Sequence, residues 1–301
     1  DTEENQLPYI NQVVNRHVPN NEAQVVRTVD GEVDIQFRGY RLNDYTLLKT
    51  NEKKGNYNMK LWERGDGGSP MIFINWDHKE SNYRKLFRNQ QFRIALSHAI
   101  DREYINQVVY QGLGTIQNGT MSEYLLHYNY HKDGAEAGQK LHEKWAKAYS
   151  AFDVEKAKNL LDEAGYVDTN GDGWREFENG ENIHLLIDVN AESTTAINAV
   201  SLIAENWQEI GLKTDVNSIS GSQMQMRLEN SSVMFKTFGY GSETDLISFP
   251  DNVFPVGPTR FHPKTGLYYQ TGGKEGMEPT GPMKKLVDIY EKSLGQKKPE
   301  N

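Results

Sequence analysis

Ile183-His-Leu-Leu-Ile-Asp-Val189, Ala196-Ile-Asn-Ala-Val-Ser-Leu-Ile-Ala-Glu-Asn-Trp-Gln-Glu-Ile-Gly211 and Leu212-Lys-Thr-Asp-Val216 are the segments on which the fold turns. Ile183, Leu185, Ile187 and Val189 alternate with polar neighbours, as one side of a half-buried strand does. Ala196, Ile197, Val200, Ile203, Ala204, Trp207 and Ile210 then recur at three- and four-residue steps and draw one stripe along a helix, which Gly211 stops. Leu212, Thr214 and Val216 alternate again. The period runs from two to 3.6 and back to two. That is a β-α-β unit, which implies parallel strands, a right-handed crossover and an α/β fold.

Working outward, Asp153-Val-Glu-Lys-Ala-Lys-Asn-Leu-Leu-Asp-Glu-Ala-Gly165 reads as a helix. Asp153 caps it, Val154, Ala157, Leu160, Leu161 and Ala164 form the buried stripe, and Gly165 ends it. Between Phe92 and Gly114 the spacing predicts two short helices joined at a cap. Phe92, Ala95, Leu96, Ala99 and Ile100 line the first; Asp101 caps the second, whose apolar face uses Tyr104, Ile105 and Val108. The stretch from Leu113 to Tyr149 shows no clean period. Asn56–Glu63 and Pro70–Trp76 flank the glycine-rich 64–69 and suggest a hairpin or a looped strand pair. Downstream, Val233–Phe238 reads as a strand followed by a loop, residues 258–282 as a Gly-, Pro- and Tyr-rich segment, and Met283–Leu294 as a last helix.

The 301 residues allow a large core and suggest two domains. With 33 basic and 42 acidic residues the net charge is -9, and no basic cluster offers the footprint a nucleic acid needs. The absence of cysteine removes disulfides, thiolate metal sites and a cysteine nucleophile. The longest apolar run, Met71–Trp76, is far short of the roughly 20 residues that span a bilayer.

Several constellations carry chemistry in outline. Asp168, Asn170 and Asp172, with Gly173 at the sharp turn, have the oxygen spacing of a calcium loop, but the twelfth position is Asn179 and supplies no bidentate glutamate. An ordinary Asn-Gly and Asp-Gly turn is the simpler reading. His127 and His131 stand four apart, as helical zinc ligands would, among neighbours that disfavour a helix. The loop at 64–69 lacks the Gly-Lys-Ser/Thr ending of a phosphate-binding loop, and no G-x-S-x-G occurs. A surface glycoside hydrolase or peptidase would need a convergent acid/base pair, which spacing alone neither supplies nor removes. Aromatic and acidic residues gather where strands end: Trp76 and Asp77, Phe238 and Tyr240, and Tyr268 and Tyr269 in the late loop. In open α/β sheets that is where ligands bind.

Four stretches resemble one family. Arg93-Ile-Ala-Leu-Ser-His-Ala-Ile-Asp-Arg-Glu103, the 153–165 helix and Gly31-Glu-Val-Asp-Ile35 match signatures of the family 5 extracellular solute-binding proteins, the receptors of peptide-type ABC importers. Tyr268-Tyr-Gln-Thr-Gly-Gly-Lys-Glu-Gly276 is similar to a segment of members thought to take oligosaccharides. The resemblance implies an α/β, periplasmic-binding-protein-like (type II) lobe with a mixed sheet flanked by helices, plus part of a second lobe. Residues 1–75 would be part of the first lobe and the approach to the hinge, and 76–301 the C-terminal lobe. It implies capture of an oligopeptide or oligosaccharide for a membrane permease, by an extracytoplasmic, lipid-anchored monomer that is not an enzyme. The chain would then lack the receptor's opening part, with its export signal, and would bind ligand weakly by itself. In the family a carboxylate just after the 233–238 strand holds the peptide amino terminus; here Gly239-Tyr-Gly-Ser-Glu-Thr-Asp245 follows it, so that role falls to Glu243 or Asp245. The implied ligand site is Trp76, Asp77, Phe238, Tyr240, Glu243, Asp245, Tyr268 and Tyr269. No cofactor is implied, and calcium at Asp168, Asn170 and Asp172 is the one metal candidate; a calcium-dependent structural module is the third reading, beside receptor and hydrolase.

Overall fold

The computed structural model describes residues 6, 9–18, 20–61, 68–240, 250–258 and 261–295. Its elements in chain order are α1 (Asn21–Val29), α2 (Tyr45–Thr50), α3 (Glu52–Gly55), β1 (Gly68–Ile74), α4 (Ser81–Arg88), α5 (Gln90–His98), α6 (Arg102–Tyr110), α7 (Leu126–Asn129) and α8 (Ala135–Lys147). There follow α9 (Val154–Glu163), β2 (His184–Asn190), α10 (Thr194–Glu209), β3 (Lys213–Ile219), α11 (Gly221–Glu229), β4 (Phe235–Tyr240), α12 (Pro263–Gln270) and α13 (Gly281–Leu294). Two compact units divide the chain between Glu63 and Arg64. β1, which precedes the 75/76 boundary that the resemblance implies, hydrogen-bonds into the sheet of the second unit.

In the first unit Asn20 caps α1 by accepting from the backbone N–H of Ala23 at 2.8 Å, and the turn at Gly31 (φ +78°) ends that element. A Cβ on Gly55 would lie 2.7 Å from the Thr28 carbonyl, so only glycine lets α3 approach α1 that closely.

The second unit is built on one mixed sheet in the order β1-β4-β2-β3. β2 pairs in parallel with β3 and with β4, while β1 runs antiparallel on the outer side of β4. The predicted β-α-β unit is therefore present. The predicted hairpin is not: Asn56–Leu61 forms no strand, and the partner of β1 is β4, about 165 residues further along. Local spacing cannot report a pairing that only the assembled sheet supplies.

Leu185, Ile187 and Val189 of β2 share a side of the sheet with Phe235, which faces Ile187 in register. All four are fully buried in the main core with Ala199, Val200, Ile203 and Trp207 of α10 and with Phe92, Leu96, Ala157 and Leu161 from α5 and α9. Trp207 ties these layers together. Its ring lies 5.1 Å from that of Phe235, and its indole N–H donates to the carbonyl of Leu96 at 3.0 Å, so a large side chain is buried without stranding its polar atom.

The two helices predicted between Phe92 and Gly114 form as α5 and α6, and Asp101 accepts from the backbone N–H of Tyr104 at 2.9 Å. Their faces differ in one respect. α6 buries Ile105 and Val109, whereas Tyr104 and Val108 are 54% and 57% exposed, so the true stripe sits one position round from the predicted one. The stretch without a clean period contains α8, whose inward residues are Gly138, His142 and Ala146. A stripe of small and polar residues every fourth position escapes a search for apolar ones.

Replacing Trp207 by alanine removes both its ring contacts and its hydrogen bond, and is expected to destabilise the second unit by about 3–5 kcal/mol. Exposed Met226→Ala on α11 should stay within about 0.5 kcal/mol. Urea unfolding followed by circular dichroism separates the two outcomes.

Candidate functional site

β1 opposes its neighbour, so the residues that follow it do not join those at the end of β4. Gly68 is opposite Tyr240 and Ile74 opposite Phe235. Trp76 and Asp77 therefore emerge where β4 begins, and Phe238 and Tyr240 lie where it runs out, about 20 Å away along the strands. The single aromatic cluster expected from strand ends is two groups. Glu243 and Asp245 lie outside the described residues, as does the side chain of Tyr240.

At the first end Asp77 is fully buried and its carboxylate is engaged. Oδ1 accepts from the Arg88 guanidinium at 2.9 Å, and Oδ2 from the backbone N–H of Thr265 at 2.7 Å, in the first turn of α12. The carboxylate thus sits at a helix amino terminus, where an unpaired N–H and the helix dipole both favour an anion. Arg88 also donates to the Trp76 carbonyl at 2.7 Å, and the Trp76 N–H donates to the carbonyl of Phe261 at 2.7 Å. The Trp76 ring carries the Arg93 guanidinium 4.2 Å from its centroid. Burial holds Arg93 down to about 10 and pushes the imidazole of neighbouring His262 down to about 4, with the Asp77 charge opposing the second shift. These contacts lock β1, α4 and α12 to one another. Tyr268 and Tyr269 belong to α12 itself and not to a loop, and both are half-buried. Tyr269 packs edge-on against Tyr290 of α13 with centroids 6.2 Å apart. Tyr268 lies against Gly273, where a Cβ would approach its ring atoms to 3.2 Å.

The opposite end carries Phe238 and Lys236. Phe238 is 53% exposed, with the Lys236 ammonium 5.8 Å from its ring centroid. The register places Lys236 beside Asp188 of β2, and Asp188 beside Asn217 of β3. Asp188 is fully buried, accepting from Asn217 Nδ2 at 2.7 Å and from Arg227 Nε of α11 at 2.9 Å. Asp188 reads in the sequence as the polar half of an alternating strand. Its only sequence signal is a carboxylate in a strand with parallel neighbours on both sides, which has to find a cation; that the cation is Arg227 depends on the fold.

The loop from Asp168 to Trp174 is a nest of side-chain-capped turns. Asp168 accepts from the N–H groups of Gly171 (2.7 Å) and Gly173 (2.9 Å), Asn170 from that of Asp172 (2.8 Å), and Asp172 from Trp174 (2.9 Å) and Asn182 Nδ2 (2.9 Å). The Asn182 bond, reinforced by the Trp174 N–H, holds the Asp172 carboxyl below the ordinary range. A residue outside the predicted set joins them. Glu176, at the ninth position and not the twelfth, is 2% exposed, and one carboxylate oxygen each from Asp168, Asp172 and Glu176 lie within 4.8 Å of one another. Arg175, next to it, points the other way, donating to the carbonyl of Ile210 at 2.7 Å and pairing with Asp162. It helps line a shallow cleft of about 410 Å³ with Lys158, Asp168 and Glu209.

Residues 4–253 match the family described as bacterial extracellular solute-binding proteins, family 5, middle region. The chain is 25% identical over 309 aligned positions to a periplasmic alpha-galactoside-binding protein of Rhizobium meliloti (strain 1021), covering 96% of this chain and 41% of that one. It is 29% identical over 246 positions to the oligopeptide-binding protein AppA of Bacillus subtilis (strain 168), covering 81% and 40%. It thus spans about two fifths of the length of these curated relatives. Among solved structures it superposes on an oligopeptide-binding protein OppA with a TM-score of 0.72 at 23% identity, covering 94% of this chain and 46% of that one. It superposes on the periplasmic binding protein MelB of Agrobacterium fabrum C58, in complex with stachyose, with a TM-score of 0.70 at 20% identity, covering 94% and 41%. The fold is that of part of a periplasmic binding protein, α/β with a mixed sheet flanked by helices, as the sequence signatures imply.

Two outcomes test the buried polar cluster. Asp77→Ala leaves Arg88 and the Thr265 N–H without their acceptor, and is expected to cost about 3–5 kcal/mol in urea unfolding. His262 sets a pH window: its folded value near 4 lies below its ordinary 6.5, so between the two the unfolded chain binds the extra proton. Its contribution is complete above about pH 6.5 and is lost as the pH falls towards 4. His262→Gln should therefore lose roughly 2 kcal/mol less stability than the parent between about pH 7 and about pH 4.5; an equal loss in both proteins would show that His262 does not set that window.

Proposed function

The chain belongs to the family 5 bacterial extracellular solute-binding proteins, and from that premise we propose that it is the ligand-capturing part of a receptor for an ABC importer, taking up an oligosaccharide or an oligopeptide. The observation that carries this reading is the family match across residues 4–253. The two ligand classes come from its relatives, one named for alpha-galactosides and one for oligopeptides. Among the described residues no helix is long and apolar enough to cross a membrane, which agrees with a receptor that docks on a separate permease outside the cytoplasm. A lipid anchor and a monomeric state complete the proposal.

In this reading the ligand lies against the end of the sheet where β4 runs out. β2, β3 and β4 all point their carboxyl ends there, the position at which open α/β sheets hold ligands. Phe238 offers an exposed aromatic face, and Tyr240, Glu243 and Asp245 follow it in sequence. An aromatic face suits the apolar side of a sugar ring or an apolar side chain, and a carboxylate suits hydroxyls or an amino terminus. Tyr268 and Tyr269 supply a second aromatic surface on α12, the helix whose first turn is fastened to Asp77 at the opposite end of the sheet. Trp76 and Asp77 are assigned to holding the fold, because the Asp77 carboxylate, the Trp76 backbone and one face of its ring are taken by Arg88, Thr265, Phe261 and Arg93. Receptors of this kind close around their ligand, so affinity comes from surfaces that meet only on closure.

Calorimetry decides between the readings. The longest natural protein carrying this chain is titrated with stachyose and, separately, with a mixture of short oligopeptides. One class should bind with a Kd on the order of micromolar, about −8 kcal/mol. Phe238→Ala should weaken that binding roughly tenfold or more, and residues 1–301 alone should bind far more weakly. Absence of heat with both classes, joined by turnover of a chromogenic glycoside or peptide, would replace the receptor with a hydrolase.

A further inference from the structure

The geometry points to a calcium-binding site in the connection between α9 and β2, formed by Asp168, Asn170, Asp172 and Glu176, and independent of whatever ligand the protein captures. The loop's own hydrogen bonds explain why residues 168–174 turn as they do, with Gly171 at φ +80° and Gly173 at φ +91°. They do not explain Glu176. This side chain is 2% exposed, and its Oε2 accepts from both the backbone N–H and the hydroxyl of Thr169, each at 2.8 Å. Its Oε1 is buried with no hydrogen-bond partner. An acceptor in that state is expensive to keep and rare in folded proteins, unless something that donates or coordinates meets it. Two further carboxylates, Asp168 and Asp172, offer oxygens within 4.8 Å of a Glu176 oxygen and of each other. Three carboxylates held this close are stable together when a cation lies between them.

The donors select the ion. All are oxygens, and no cysteine or histidine belongs to the group, which suits a hard cation and not zinc. Oxygens up to 4.8 Å apart can share an ion at the 2.3–2.6 Å distances of calcium. Each carboxylate oxygen that already accepts one N–H keeps a second lone pair for the metal. Positions one, three, five and nine of the loop are thus Asp168, Asn170, Asp172 and Glu176, and position seven, which in calcium loops gives a backbone carbonyl, is Trp174. The neighbouring cations do not substitute for the ion: Arg175 spends its guanidinium on Asp162 and on the carbonyls of Ile210 and Tyr166, and Lys213 is the smallest of the influences on Asp172. Glu176 also forms an isolated antiparallel bridge with Asn182, so the site would fasten the loop to the start of β2.

The test uses residues 1–301 stripped with a chelator. Calorimetry with calcium chloride is expected to show about one ion per chain with a Kd on the order of 10⁻⁴ M, and weaker binding of magnesium. Terbium should bind in the same place and emit on excitation of Trp174, with calcium displacing it. Trp174→Phe should abolish most of that emission and keep the calcium heat. Glu176→Gln and Asp172→Asn, with unchanged circular dichroism, should each lower calcium affinity roughly tenfold or more. The proposal fails if the stripped parent protein gives neither calcium heat nor terbium emission, or if Glu176→Gln binds calcium as tightly as the parent.

Discussion

A strand with parallel neighbours on both sides has to be covered on both faces, and the second unit is arranged around meeting that requirement for β2. On one face the solution is apolar: Leu185, Ile187 and Val189 meet α10, and Trp207 reaches across to Leu96. On the other the solution is ionic. Asp188 is fully buried there, and α11 brings Arg227 over it while β3 supplies Asn217. Removing Arg227 would leave a buried charge, whereas a well-packed apolar pair in the same place could be as stable, so the pair is better understood as fixing where α11 lies than as a source of stability.

The same sheet has two unlike ends. Because β1 joins antiparallel, its exit is at the end where β4 and β2 begin, and that end is filled by Asp77, Arg88 and the amino terminus of α12. The other end collects the carboxyl ends of three strands and leaves Phe238 half in solvent. Opposed strand direction places both ends within a single four-stranded sheet.

The connection between α9 and β2 follows the same logic on a smaller scale. Side-chain caps hold residues 168–174 in a fixed shape, and Arg175 and Glu176, adjacent in sequence, are buried in opposite directions. One meets carbonyls and a carboxylate; the other meets a hydroxyl and two more carboxylates. The sequence shows two charged residues side by side, and only the fold shows that both are buried and that one retains an unpartnered oxygen.

Sequence alone determined the elements whose burial is periodic: β2, α10 and β3 by alternation and stripe, α5 and α9 by stripe and cap, α6 by its cap, and the family by its signatures. These are legible because a side chain's direction follows from its place in a helix or strand, so a face facing the core repeats along the chain. Sequence could not determine that β1 belongs to β4, that Asp77 caps a helix almost 190 residues away, or that α8 buries a histidine and small residues. Nor could it divide the aromatic residues into a supporting group at Trp76 and a presented one at Phe238. Pairing, direction and the sharing of buried charge are contacts between distant segments, and they come into being only when the sheet closes.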